Sequence, residues 1–201
     1  MSPAVPVSAI TLKKQLVSIT EELPGRTVAH RVAEIRPQVT GIITKRLFVE
    51  GSHVDQGQQL YQIDPAQYQA SYEAKKAALK KAKANLHSVA LKEKRFSELV
   101  KVDAVSQQDY DDIYAELTQA KADIAVAEAD VVSAKINLEY TRVYAPISGQ
   151  ISQSNVTEGA LVTANQESSL ATITQLDPIF VDMQASVPQL LRLKELTGSD
   201  D

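Results

Sequence analysis

Residues 66–139 contain neither glycine nor proline, although the 201-residue chain holds seven glycines and eight prolines. So long a run without a helix breaker favours helix, since glycine costs about 1 kcal/mol and proline about 3 kcal/mol in a helix interior. In its second part Tyr110, Ile113, Leu117, Ala120, Ile124, Ala127, Val131, Ala134 and Leu138 recur at steps of three and four. That is the heptad seam of a coiled coil. The first part repeats it less cleanly in Tyr72, Leu79, Ala82, Leu86, Val89, Phe96 and Val100, with Lys75 and Glu93 interrupting. Between the two, Val102-Asp103-Ala104-Val105 marks a turn, and Ser106 followed by Asp109 resembles a capping box with Asp in the usual place of Glu. A short connection forces the helices antiparallel, and about 35 residues rising 1.5 Å each make a rod of roughly 50 Å.

The segments flanking this rod repeat each other. Ile35-Arg36-Pro37-Gln38-Val39-Thr40-Gly41-Ile42-Ile43 aligns with Val143-Tyr144-Ala145-Pro146-Ile147-Ser148-Gly149-Gln150-Ile151. Glu50-Gly51 aligns with Glu158-Gly159, Val54 with Val162, and Leu60 and Ile63 with Leu170 and Ile173. Each half reads as short strands with apolar positions at period two, and Gly41, Gly51, Gly149 and Gly159 read as turn positions supplying positive φ. Half a sandwich cannot bury its apolar face, so the halves are expected to pair across the insertion. Outside them, Leu16 to Val28 reads as strands with a turn at Pro24-Gly25, Pro178 to Met183 as a strand and Val187 to Leu196 as a short helix, with the two ends pairing.

Composition narrows the function. The net charge of −4 has well-mixed signs and aromatics are few, which leaves no basic footprint for nucleic acid. No stretch of about 18 apolar residues offers a membrane span, and the first residues lack the pattern of an export signal. His30, His53 and His87 are scattered without ligand spacing, so neither a metal nor a cofactor is expected. No phosphate loop, nucleophile elbow or two-histidine helix motif is present, and no enzyme is expected. Charge is segregated between the helices. Residues 66–101 hold nine Lys or Arg against three Glu, and residues 106–139 eight Asp or Glu against two Lys, which suits side-by-side assembly of hairpins.

The split repeat resembles the biotinyl/lipoyl domain, and the whole arrangement resembles the periplasmic adaptor (membrane fusion) proteins of tripartite resistance-nodulation-division (RND) multidrug efflux pumps. Glu22-Leu23-Pro24-Gly25-Arg26-Thr27, Leu60-Tyr61-Gln62-Ile63-Asp64-Pro65, Ala145-Pro146-Ile147-Ser148-Gly149, Ser154-Asn155-Val156-Thr157-Glu158-Gly159 and Gln175-Leu176-Asp177-Pro178-Ile179 carry the likeness. It implies an α+β fold: a split lipoyl-like β sandwich with an inserted long antiparallel α-helical coiled-coil hairpin, plus the start of a β-barrel domain. The segments would be 1–31, N-terminal strands of the membrane-proximal or β-barrel region; 32–64, first lipoyl-like half; 65–139, hairpin; 140–174, second half; and 175–201, start of a barrel expected to be cut short.

The resemblance further implies that Arg95, Leu99 and Ser106, which match the family's Arg-x3-Leu-x6-Ser motif, engage a TolC-type outer-membrane channel. The other implied partners are an RND inner-membrane transporter and further copies of the chain in a hexamer. The implied location is the periplasm, attached to the inner membrane through a missing N-terminal lipid anchor or a partner. Two other readings stay open. One is an adaptor of a type I secretion system or an ATP-driven exporter; the other is a biotinyl or lipoyl carrier, although carriers need a lysine where this chain places its helical insert.

Overall fold

The computed structural model describes residues 22–197 and the single positions 8, 10, 11 and 13. The chain divides into two compact units, residues 29–179 and a second formed by residues 1–28 with 180–201. Its elements in chain order are β1 (Gly25–Ile35), β2 (Gly41–Arg46), β3 (His53–Val54), β4 (Gln59–Ile63), α1 (Ala66–Val100), α2 (Gln107–Glu139), β5 (Arg142–Tyr144), β6 (Gly149–Ile151), β7 (Leu161–Val162), β8 (Ala171–Met183) and α3 (Val187–Thr197).

In the larger unit the sequence repeat becomes a repeat of topology. The two four-stranded sheets have orders β1-β8-β6-β3 and β5-β4-β2-β7. The alignment equates β1 with β5, β2 with β6, β3 with β7 and β4 with β8. Exchanging every strand for its equivalent turns the first order into the second, so each sheet mixes strands of both halves. The apolar positions of the repeat form one core, in which Ile43, Val54, Leu60 and Ile63 lie with Ile151, Val162, Leu170 and Ile173, all at most 1% exposed. Tyr61 joins them, and burial raises its phenol pKa even though its hydroxyl meets Ser154 Oγ at 2.6 Å.

The loops repeat as closely as the strands. Gly159 N–H donates to Ile43 O at 2.8 Å, and its equivalent Gly51 N–H to Ile151 O at 3.1 Å. Arg46 N–H donates to Glu158 Oε1 at 2.8 Å, while Ser154 N–H donates to Glu50 Oε1 at 3.1 Å. Each Glu-Gly pair thus reaches into the opposite half: the glutamate accepts a backbone proton there, and the glycine bends the chain at φ 74° or 88°.

Two of the expected turn glycines act differently. Gly41 and Gly149 open strands β2 and β6 and lie outside the left-handed region. A Cβ on Gly41 would sit 2.6 Å from Ile63 Cγ2, and one on Gly149 would sit 2.6 Å from the Thr174 carbonyl oxygen. They are glycines because chains pass close there. The second pair of left-handed residues is instead Gly57 (φ 84°) and Asn165 (φ 56°), whose N–H groups bond Ala145 O and Pro37 O at 2.9 and 2.8 Å.

The helices leave the sandwich where a tight β-turn would otherwise stand. β4 and β5 pair antiparallel, with Tyr61 opposite Val143 and Gln62 opposite Arg142. Asp64 Oδ1 accepts the Ala66 N–H at 3.0 Å at the start of α1, and Tyr68 Oη donates to Thr40 O at 2.7 Å. At the end of α2, the buried Thr141 hydroxyl donates to Leu138 O at 2.7 Å, and Thr141 O accepts from Ile63 N–H at 2.8 Å. The coiled-coil seam buries Val89 of α1 and Ile113, Leu117, Ala120 and Ala134 of α2. The two interruptions of the α1 seam have partners. Lys75 Nζ lies 2.9 Å from Asp130, and Glu93 accepts the Tyr110 hydroxyl at 3.1 Å. With Lys83–Glu128 at 3.0 Å and Lys92–Glu116 at 3.2 Å, they set the register between helices. Each exposed pair contributes at most about 1 kcal/mol.

In the smaller unit, Gln184 N–H bonds Pro24 O at 3.2 Å. Ser186, whose N–H and hydroxyl both donate to Gln189 Oε1, stands before α3. Gly25, read from sequence as part of a turn, opens β1; the strands expected from Leu16 to Glu21 lie outside the described residues. The expected boundaries at 31/32 and 174/175 fall within β1 and β8 rather than at an end of either strand. No helix among the described residues is long and apolar enough to cross a membrane.

The two kinds of glycine should separate on substitution. Gly51→Ala is expected to cost about 1–2 kcal/mol through its left-handed backbone, and Gly51→Asn less, since asparagine tolerates that conformation. Gly149→Ala and Gly149→Asn should both cost at least about 2 kcal/mol, because a Cβ collides with backbone. Urea denaturation of the four variants checks this, and equal rescue by asparagine at both positions would contradict it.

Candidate functional site

The motif residues sit where the hairpin turns. Arg95 and Leu99 are one helical turn apart near the end of α1, on one face, and Ser106 stands immediately before α2. All three are exposed, Leu99 to 40%. Among the described residues the Arg95 side chain has no hydrogen-bond or ion-pair partner. Its planar set of donors is therefore uncommitted.

The turn that presents them is closed at both ends. Ala104 N–H bonds Leu99 O at 3.0 Å and Asp103 N–H bonds Val100 O at 3.2 Å, with Asp103 left-handed at φ 55°. This pattern of two bonds around a left-handed residue ends α1 as a Schellman motif, with aspartate where glycine is usual. Sequence reasoning marked the turn but missed this role, because aspartate is a weaker signal for that conformation than glycine. The cap expected at α2 is present: Ser106 Oγ accepts the Asp109 N–H at 3.1 Å, and Asp109 Oδ2 accepts the Ser106 N–H at 3.2 Å.

The three residues consequently differ in what they can offer. Arg95 presents free donors and Leu99 a small apolar contact, beside Val102, which is 71% exposed. The Ser106 hydroxyl also donates to Asp109 Oδ2 at 2.6 Å, so it is engaged in the cap. Hydrogen bonds from the Ser106 side chain and then its backbone hold the Asp109 carboxyl below its ordinary value of 3.8. A depressed carboxylate pKa stabilises above the unfolded value and loses that contribution as pH falls through the folded one. The first turn of α2 should therefore fray on acidification below the ordinary aspartate range, and Asp109→Asn should remove that transition. Amide chemical shifts of Ser106 and Asp109 followed through an acid titration check it.

No group of three or more His, Cys, Asp or Glu among the described residues could hold a metal ion. What the arrangement provides is an uncommitted guanidinium and an exposed leucine beside the turn that joins the two helices.

Residues 31–174 match the family described as "RND MFP, barrel-sandwich hybrid domain". Over 189 residues the chain is 51% identical to the multidrug efflux pump subunit AcrA of Escherichia coli K12, covering 94% of this chain and 48% of that protein. Over 188 residues it is 52% identical to the antibiotic efflux pump periplasmic linker protein ArpA of Pseudomonas putida, covering 94% and 47%. A crystallised MacA-MexA chimera containing the Pseudomonas aeruginosa MexA α-hairpin domain superposes with a TM-score of 0.56 at 32% identity, covering 83% of this chain and 54% of the chimera. The chain spans about half the length of the curated relatives it matches. With a lipoyl-like sandwich split by a coiled-coil hairpin and this extent of identity, the chain belongs to the RND membrane fusion protein family.

Proposed function

We propose that the chain is the hairpin-bearing part of a non-enzymatic periplasmic adaptor for multidrug efflux. It would link an inner-membrane RND transporter to a TolC-type outer-membrane channel. The observation that carries this reading is the tip: an uncommitted guanidinium and an exposed leucine held by a doubly closed turn, roughly 50 Å from the sandwich along a two-helix rod. In this reading residues 1–31 and 175–201 belong to a β-barrel region that approaches the transporter. The full-length protein is held at the inner membrane by a lipid anchor or by that partner.

Self-assembly is the second part of the proposal, and the outward faces of the hairpin support it. On α2, Thr118, Ala122, Ala125, Ala129, Val132 and Ile136 are all exposed and spaced at alternating steps of four and three. On α1, Ala70, Ala74, Ala77, Lys81, Ala84 and Ser88 are exposed with the same spacing. Both rows lie away from the α1–α2 seam. The register fixed by Lys75–Asp130 and Lys92–Glu116 puts the rows at matching heights, Ala77 level with Ala129. Small residues in a heptad row let helices approach closely, so α1 of one copy fits α2 of the next. The two surfaces differ, which makes the contact head-to-tail, and repetition of such a contact closes a ring; six copies is the number we propose. Charge favours the same pairing, because Lys80 and Lys81 on α1 and Asp112 and Asp123 on α2 make no ion pair within the described chain.

Two experiments on the full-length protein test the two parts. Arg95→Ala and Leu99→Ser should abolish channel crosslinking and drug resistance while leaving the melting temperature of the sandwich unchanged. Persistence of both activities would refute the tip assignment, and joint loss of folding would return these residues to a structural role. For assembly, the chain has no cysteine, so Ala77→Cys with Ala129→Cys should give ladders of intermolecular disulfides, whereas either single variant should give at most dimers. Ladder formation should weaken with salt, since exposed charges are screened over about 8–10 Å near physiological ionic strength. A double variant that remains monomeric under oxidation would exclude the proposed contact.

A further inference from the structure

Where the hairpin joins the sandwich, a groove of about 450 Å³ opens between four elements. Its walls include Pro65 and Tyr72 on the α1 side, Leu138 at the end of α2, and Arg142 and Tyr144 from β5. Val143 between the last two points into the core and is 8% exposed, so the alternation of the strand turns Arg142 and Tyr144 outward together. The volume falls in the range of small-ligand sites, and Pro65, Leu138 and the two tyrosine rings give the groove an apolar side among otherwise polar walls.

The amide and charged side chains of the groove are spoken for, with one exception. Lys135 and Glu139 neutralise each other at 3.6 Å. The Gln69 amide donates to Glu73 at 3.2 Å, and the Gln62 amide donates to Ile63 O at 2.7 Å and Thr141 O at 3.3 Å. Arg142 has no hydrogen-bond or ion-pair partner for its side chain among the described residues. The groove therefore carries one unbalanced positive charge beside two tyrosines, Tyr144 being 46% exposed.

We propose that this groove binds an amphipathic aromatic anion, its ring system against Tyr72, Tyr144 and Pro65 and its carboxylate or sulfonate on the Arg142 guanidinium. A planar guanidinium accepts such an anion in a two-point hydrogen-bonded geometry, which a neutral ligand cannot reproduce. Because the walls come from both helix roots and from the sandwich, an occupant braces the hairpin against the domain that bears it. The site is remote from the tip and does not depend on channel recognition or self-assembly.

The matched probes are 8-anilinonaphthalene-1-sulfonate and its uncharged counterpart N-phenyl-1-naphthylamine, which share the ring skeleton and differ in the sulfonate. Titrated against the folded protein by fluorescence and calorimetry, the sulfonate should bind at one site, about tenfold more tightly than the amine. Arg142→Gln should remove that advantage without moving the melting temperature, and Lys45→Gln, which alters an exposed cation of the same domain outside the groove, should preserve it. Amide and side-chain shifts on titration should centre on Tyr72, Leu138 and Tyr144. Equal binding of the two probes, an unchanged sulfonate affinity in Arg142→Gln, shifts centred elsewhere, or no binding at millimolar probe would each overturn the assignment.

Discussion

The constraint on which everything else rests is that neither half of the repeat can bury its own apolar face. Each sheet takes strands from both halves, β2 and β4 standing between β5 and β7 in one of them. Five buried apolar positions of one half meet their equivalents in the other, Ile35, Ile43, Val54, Leu60 and Ile63 against Val143, Ile151, Val162, Leu170 and Ile173. At about 1.5–3 kcal/mol for each fully buried aliphatic side chain, this shared core outweighs any single polar contact in the domain. The reciprocal acceptors Glu50 and Glu158 then fix how the halves face each other. The same pairing dictates the root of the hairpin, since β4 and β5 are neighbours and the helices have nowhere else to leave.

How much of this could be read from the chain depended on whether the signal was local. The hairpin was legible because its evidence is continuous: no breaker between 66 and 139, a long seam on α2 and a capping pair at Ser106 and Asp109. The pairing of the halves was legible because the repeat survives in the sequence. Gly41 and Gly149 were misread because a close approach and a left-handed turn both select glycine, and only the neighbouring chain distinguishes them. Asn165 and Asp103 escaped notice since non-glycine residues in that conformation leave a faint mark. Lys75 and Glu93 looked like defects of the seam because their partners, Asp130 and Tyr110, lie on the other helix. At the tip, the spacing of Arg95, Leu99 and Ser106 could be seen in sequence, but not which of them was already engaged.

The hairpin divides its surface by chemistry. One face of each helix closes the internal seam, the opposite face carries mostly small exposed residues, and the charged residues of the two helices differ in predominant sign. Cross-helix ion pairs use only part of this charge. A rod built in this way holds its own register while leaving two unlike sides for neighbours, and its stiffness comes from packing along its length rather than from the exposed ion pairs.

Placing the helices inside the β4–β5 connection also bears on how the chain finds its fold. Tyr61 and Val143 must meet although a long stretch of sequence separates them, and the entropy lost in closing a loop grows with its length. A coiled-coil hairpin assembles from local contacts on the microsecond scale of helices and turns. Once it has zipped, its two roots lie side by side, and what remains to be closed is a handful of residues at either end. The element that projects furthest from the domain thereby shortens the search for the domain's own core.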